Sequence, residues 1–160
     1  MIVLDILGIL ALIALVVIII KINKKPDYIS LKESLDLTNL PIVTFYQHSK
    51  KLNFILDTGS TMNIIDANII KKLQHDITTK GTNVTGIGGE KVEVPLTELN
   101  INYKNKEFND LFQIVDMNTV FTSIKNETGV TLHGLIGNSF MQKYKYVLDF
   151  DEMVVYSKHK

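Results

Sequence analysis

The 160-residue chain lacks cysteine, tryptophan and arginine. Without cysteine there can be no disulfide, thiolate zinc site, iron–sulfur cluster or cysteine nucleophile. Without arginine the chain lacks the side chain best suited to bidentate recognition of phosphate or guanine. Lysines number 17 and acidic residues also 17, so the formal net charge is zero. With no basic cluster in addition, the sequence predicts that nucleic acid is not a partner.

Charged residues are nearly missing from the first twenty positions. Ile6–Ile20 is an unbroken apolar run of fifteen residues, and extending it back to Ile2 adds one interruption, Asp5. As a helix this stretch would span roughly 28 Å, close to the hydrocarbon thickness of a bilayer. Lysines and Pro26 follow it. The run therefore predicts a transmembrane helix that contacts the lipid bilayer through residues 2–20.

Two other interpretations of this run fit less well. A cleaved signal peptide should carry its positive charge before the apolar run and a small-residue cleavage site after it, whereas here the lysines follow. A buried soluble helix should show a polar face, and none is present. Because lysines favour the cytoplasmic side, we expect the rest of the chain in the cytoplasm. The predicted organisation is an anchor (1–22), a polar juxtamembrane linker (23–40) and a folded domain (41–160).

Beyond Pro41 the chain consists of short apolar runs separated by turn residues. Ile42–Gln47 and Leu52–Leu56 read as a hairpin, and Leu99–Tyr103 with Glu107–Val115 reads as another. Asp116–Thr131 shows no clear pattern and is expected to be a loop. Many short strands with one or two short helices predict an all-β closed barrel, following the transmembrane helix.

Asp57 stands where an apolar strand runs into a turn, in Phe54-Ile55-Leu56-Asp57-Thr58-Gly59-Ser60. A carboxylate in such surroundings needs partners, and the Ser60 hydroxyl is a candidate donor. An ordinary strand-end turn would also use Asp, Gly and Ser. The triplet on its own therefore leaves both interpretations open.

Two later segments favour a functional role for Asp57 over an ordinary turn. Gly86-Ile87-Gly88-Gly89 precedes an alternating strand, and Leu135-Ile136-Gly137 precedes a short helical pattern. Together with Asp57-Thr58-Gly59-Ser60, these segments resemble, in order, the catalytic loop, flap and apolar-apolar-glycine motif of the retropepsin-like aspartic proteases. The resemblance covers roughly residues 41–156.

The resemblance implies a role for each segment. Asp57 would activate the attacking water, Thr58 would cross-link two loops, Gly59 would allow close approach, and Ser60 would tune the carboxylate. Residues 86–89 would close over a peptide or protein substrate bound as an extended strand. Leu135, Ile136 and Gly137 would be structural support behind the site.

Hydrolysis by carboxylates needs two of them, one acting as base toward water and one as acid toward the carbonyl. The chain carries one Asp-Thr-Gly, so it supplies half a site. A two-fold homodimer would bring Asp57 beside its symmetry mate. Retroviral members of the family place arginine after the apolar-apolar-glycine motif and an acid soon after Asp-Thr-Gly. This chain has Asn138 at the first of these positions and Thr61-Met62 near the second.

The sequence thus predicts a membrane-anchored aspartic endopeptidase that needs no cofactor and no metal. The four histidines, at 48, 75, 133 and 159, lack metal-ligand spacing. Two alternatives stay open: a non-catalytic retropepsin-like dimerisation or peptide-binding module at the membrane, and an unrelated β-rich domain with an incidental Asp-Thr-Gly turn.

Overall fold

The computed structural model describes residues 10, 12–17, 28–85 and 91–158. From residue 28 onward its elements are β1 (Tyr28–Ser30), α1 (Lys32–Thr38), β2 (Ile42–Gln47), β3 (Lys50–Leu56), β4 (Asn63–Asp66), α2 (Ala67–Ile70), β5 (Asp76–Thr85), β6 (Lys91–Tyr103), β7 (Lys106–Val115), α3 (Asn118–Thr128), β8 (Gly134–Ile136), α4 (Asn138–Lys143), β9 (Tyr146–Asp149) and β10 (Val154–Ser157).

Six strands form a closed barrel, as the sequence predicts. They follow the order β2-β3-β8-β4-β7-β6, and pairing of β6 with β2 at Asn102 and Tyr46 closes the ring. β5 extends the sheet from β6, and the two form a long antiparallel hairpin. β3 and β8 run parallel while β4 and β8 run antiparallel, so the short β8 lies between the two segments that flank the Asp-Thr-Gly turn.

Strand alternation fills the barrel. Leu52, Phe54 and Leu56 of β3 are at most 4% exposed, whereas Asn53 and Ile55 on the other face are only half-buried. Aromatic rings occupy the centre and pack mainly edge to face, with centroids 4.6–6.2 Å apart. The barrel wall that carries the Asp-Thr-Gly turn is therefore backed by a close-packed core.

The segment expected to be a linker contributes to this core. β1 pairs antiparallel with β10, which pairs with β9, giving a separate three-stranded sheet. Leu31 is fully buried, and its amide donates to the carbonyl of Met153 at 2.8 Å. The polar composition of residues 27–40 gave no sign of this contact. One buried leucine and three residues paired with β10 are enough to hold the segment against the domain.

Helix content exceeds the expectation of one or two short helices, since residues 28–85 and 91–158 hold four. The expectation of a loop at 116–131 is wrong: α3 occupies most of it, and Gly129 ends the helix with φ of 76°. Phe121 is the buried residue of α3 and packs with Ile42 and Leu132 in a second apolar cluster outside the barrel. Tertiary packing rather than local propensity stabilises this helix.

Most of the predicted transmembrane segment lies outside the described residues. Residues 10 and 12–17 of it are helical. Across the parts of the chain that the structure describes, no helix combines the length and apolar character needed to cross a membrane.

Candidate active site

Asp57 lies immediately after β3, at the end of the strand that the barrel core holds in place. Its backbone amide donates to the carbonyl of Ile136 in β8 at 3.0 Å, which continues the parallel pairing of Leu56 with Ile136. Asp57 is half-buried, while Thr58 and Gly59 are exposed at the tip of the turn. The carboxylate therefore stands at the surface of a rigid wall rather than inside the barrel.

The turn after Asp57 is closed by its own backbone. The amide of Gly59 donates to Oδ1 of Asp57 at 2.9 Å, and the amide of Ser60 donates to the carbonyl of Asp57 at 3.2 Å. The expected bond from the Ser60 hydroxyl to the carboxylate is absent from this described loop. Ser60 Oγ instead donates to the carbonyl of Met62 at 2.7 Å. Gly59, rather than Ser60, therefore supplies the hydrogen bond to the Asp57 carboxylate.

Gly137 brings the start of α4 against this turn. A Cβ at Gly137 would lie 2.4 Å from the carbonyl oxygen of Met62 and 3.0 Å from that of Ser60, so only glycine fits. Beyond it, the amide of Asn138 donates to Ser60 at 2.8 Å and that of Ser139 donates to Thr61 at 3.0 Å. The apolar-apolar-glycine motif thus supports the Asp57 turn from behind.

Two asparagines complete the support, and the sequence analysis assigned a role to neither. Asn63 is fully buried; its side chain accepts from the amide of Gly137 at 3.0 Å and donates to the carbonyl of Leu111 at 3.0 Å. Asn138 Nδ2 donates to the carbonyl oxygen of Thr58. The sequence offered one signal for Asn63, which is a polar residue at the start of the apolar strand Asn63-Ile64-Ile65. A buried amide at such a position needs hydrogen-bond partners.

A family model described as "Aspartyl protease" matches residues 43–140, more than half of the chain. The chain belongs to the aspartyl protease family. Its retropepsin-like fold is shared by the EIAV protease, solved in complex with the inhibitor HBY-793. That similarity has a TM-score of 0.53 and 20% sequence identity, and it covers 69% of this chain and 93% of the viral protein. No curated protein matches the chain.

Family membership removes the interpretation of Asp-Thr-Gly as an incidental turn in an unrelated β-domain. The matched region runs from β2 into α4 and so includes every described part of the Asp57 turn and its support.

Two apolar residues, Ile55 and Leu135, form a strip on adjacent strands close in sequence to Asp57 and Gly137. Ile55 is two residues before Asp57 and on the same face of β3, and its partner across the parallel pairing is Leu135. Both side chains are half-buried and pack against the second apolar cluster, which includes Phe121 of α3. The fold thus places a half-buried apolar pair on the two strands that lead into the Asp57 turn and its support.

The predicted flap residues, Gly86, Ile87, Gly88 and Gly89, lie outside the described residues. The two strands that lead to them are described: β5 and β6 pair as far as Thr85 and Lys91. The described arms of this long hairpin thus end at Thr85 and Lys91, on either side of the predicted flap.

None of the described histidines, His48, His75 and His133, makes a hydrogen bond to Asp57. In the described parts of this aspartyl protease, no three His, Asp or Glu side chains lie close enough to hold a metal ion. His133 has a structural contact: its Nδ1 accepts from the amide of Asn53 in β3 at 2.9 Å. Burial lowers the pKa of His133 below its ordinary 6.5, while the nearby Asp66 carboxylate acts in the opposite direction.

Proposed function

We propose that this protein is an aspartic endopeptidase that acts as a homodimer and is anchored in a membrane by residues 2–20. The observation that carries the proposal is the Asp57 turn, held by Ile136 and Gly137 at the surface of a barrel of the aspartyl protease family. One chain supplies one such turn. Two chains related by a two-fold axis supply the pair of carboxyl groups that the reaction needs.

In the proposed reaction, the two Asp57 side chains hold one proton between them. The ionised carboxylate removes a proton from water as the water oxygen attacks the carbonyl carbon of the peptide bond. The protonated carboxyl gives its proton to the carbonyl oxygen, which yields a neutral tetrahedral diol. Proton transfer to the amide nitrogen then breaks the C–N bond and releases an acid and an amine. The exposed Thr58 would contact its symmetry mate between the two loops.

Substrate binding is proposed to use the face on which Asp57 lies. An extended peptide would lie between this face and the hairpin connection at 86–90, which would close over it and exclude water. The strip formed by Ile55 and Leu135 offers an apolar surface to a side chain next to the scissile bond. Leu135, Ile136 and Gly137 would have no chemical role.

The membrane anchor rests on the sequence of the first twenty residues. Tethering in a bilayer raises the local concentration of the chains and favours pairing. With the lysines at 21, 24 and 25 retained on the cytoplasmic side, the protease domain would lie in the cytoplasm. A C-terminal reporter that is active in one compartment only distinguishes this orientation from the opposite one.

The first experiment compares Asp57→Asn with the wild type on a peptide library. The wild type is expected to cleave, and the variant to lose cleavage by several orders of magnitude because its side chain cannot act as a base. Wild-type binding of an inhibitor that mimics the tetrahedral diol, lost in the variant, would fix the reaction class. Equal behaviour of the two proteins would favour the alternative, a non-catalytic peptide-binding module.

A further inference from the structure

Asn138 makes two hydrogen bonds to the loop that begins at Asp57. Its backbone amide donates to the carbonyl of Ser60 at 2.8 Å, and its side-chain Nδ2 donates to the carbonyl oxygen of Thr58. The two acceptors lie on either side of Gly59. One residue of α4 therefore holds both ends of the exposed tip of the turn.

The Thr58 carbonyl is half of a single peptide group whose other half is the amide of Gly59. That amide donates to Oδ1 of Asp57 at 2.9 Å. Asn138 Nδ2, the Thr58–Gly59 peptide and the Asp57 carboxylate therefore form one continuous chain of hydrogen bonds. Because such chains polarise each member, a donor on the carbonyl strengthens the bond that the amide makes to the carboxylate. The same donor also fixes the plane of the peptide and with it the direction of the N–H.

The base of this chain is rigid. α4 is fixed by Phe140, which is fully buried in the aromatic core, and by Met141, which is 6% exposed. Gly137 before it has no room for a side chain. Asn138 itself is half-buried, and its hydrogen bond to Thr58 lies at the exposed surface of the loop.

We propose that Asn138 is a positioning residue, which orients the Asp57 carboxylate through the Thr58–Gly59 peptide. The catalytic consequence of this inference rests on the proposed peptidase function. It makes Asn138 a further residue on which kcat depends. Retroviral members of the family carry arginine at this place in the sequence; here a short amide orients the carboxylate within one subunit. Each half-site is therefore ordered before two subunits meet.

The test uses Asn138→Ala and Asn138→Asp in the full chain, with Gln142→Asp as control. Gln142 is exposed on the same helix, and its replacement by aspartate adds the same charge as Asn138→Asp. Asn138→Ala removes the donor, and kcat is expected to fall at least tenfold with little change in KM. In Asn138→Asp the ionised carboxyl cannot donate, but its protonated form can. The ratio of variant to wild-type kcat should therefore rise as pH falls through the ordinary range of a carboxyl pKa, while the ratio for Gln142→Asp stays flat.

Amide hydrogen exchange of Gly59 gives a readout that does not need activity. Exchange is expected to be at least tenfold faster in Asn138→Ala than in the wild type and unchanged in Gln142→Asp. If wild-type peptidase activity is absent but this difference is present, the proposed function fails and the positioning contact stands. Unchanged Gly59 exchange, or a flat pH ratio for a folded Asn138→Asp, would overturn the inference. Should Asn138→Asp not fold, the exchange result for Asn138→Ala decides.

Discussion

At the scale of single residues, Asp57 could be identified from the sequence because its neighbours along the chain form a motif. Ile136 and Gly137 could be identified as its support only through the family resemblance, and Asn138 could not be identified at all. All three are about 80 positions away and meet Asp57 only after the barrel closes. The sequence indicated Ser60 as the partner of the carboxylate, yet the geometry of a tight turn gives that place to the amide of Gly59. Side-chain chemistry alone could not show that a backbone amide, rather than the Ser60 hydroxyl, donates to the carboxylate.

Gly137 is a site where a single methyl group should be costly. In Gly137→Ala the new Cβ would lie 2.4 Å from the carbonyl oxygen of Met62, so one of the two backbone segments would have to move. We expect the unfolding free energy, measured by chemical denaturation, to fall by about 1–3 kcal/mol. We also expect kcat to fall by more than this loss of stability alone would cause. Gly129→Ala is the comparison, because nothing lies within 4 Å there and only its φ of 76° opposes the change. Full activity in Gly137→Ala would contradict the close approach.

His133 should make stability depend on pH. Its folded-state pKa is lowered below 6.5, mainly by burial, so its contribution is complete above 6.5 and is lost as pH falls through that value. A protonated ring could no longer accept from Asn53. His133→Asn keeps an acceptor that does not titrate, so its unfolding free energy should fall less than that of the wild type between about pH 7.5 and 5. Parallel curves for the two proteins would show that this contact carries no pH dependence.

At the scale of elements, β2, β3 and β7 followed from period-two alternation, and their observed bounds lie within two residues of those the sequence predicts. β6 is longer than the predicted strand at Leu99–Tyr103, and β5 was not predicted. α3 was not predicted either, because Asn118–Thr128 is rich in threonine and other weak helix formers and presents few apolar residues. What defines this helix is the packing of Phe121 against Leu132 and against Ile42, which is distant in sequence. β1 and α1 were not predicted for the same reason, since Leu31 is the one fully buried residue in this segment.

Phe121 should therefore account for most of the stability that α3 adds. Phe121→Ala removes a ring that is 7% exposed and should lower the unfolding free energy by about 3 kcal/mol. Val120→Ala, on the 52% exposed side of the same helix, should change it by less than about 0.5 kcal/mol. Urea denaturation measures both. If the two variants were equally stable, α3 would not be held by this cluster.

At the scale of the whole molecule, the closed barrel follows from the number and spacing of strands, but the number of subunits needed for activity does not. The argument for two subunits is chemical: one Asp-Thr-Gly per chain and a reaction that needs two carboxyl groups. The three-stranded sheet of β1, β10 and β9 is formed by strands of a single chain.

Mixing wild-type and Asp57→Asn chains tests this count of carboxyl groups directly. With random pairing of equal amounts, about half of the wild-type chains are paired with a variant chain that lacks the second carboxyl group. Activity per wild-type chain should therefore fall to about half, and it should fall further with excess variant. Chains carrying both Asp57→Asn and a barrel-disrupting change such as Phe54→Asp serve as control, because they should not pair. If dilution with folded Asp57→Asn chains left the activity per wild-type chain constant after full exchange of subunits, a single chain would hold the complete catalytic apparatus.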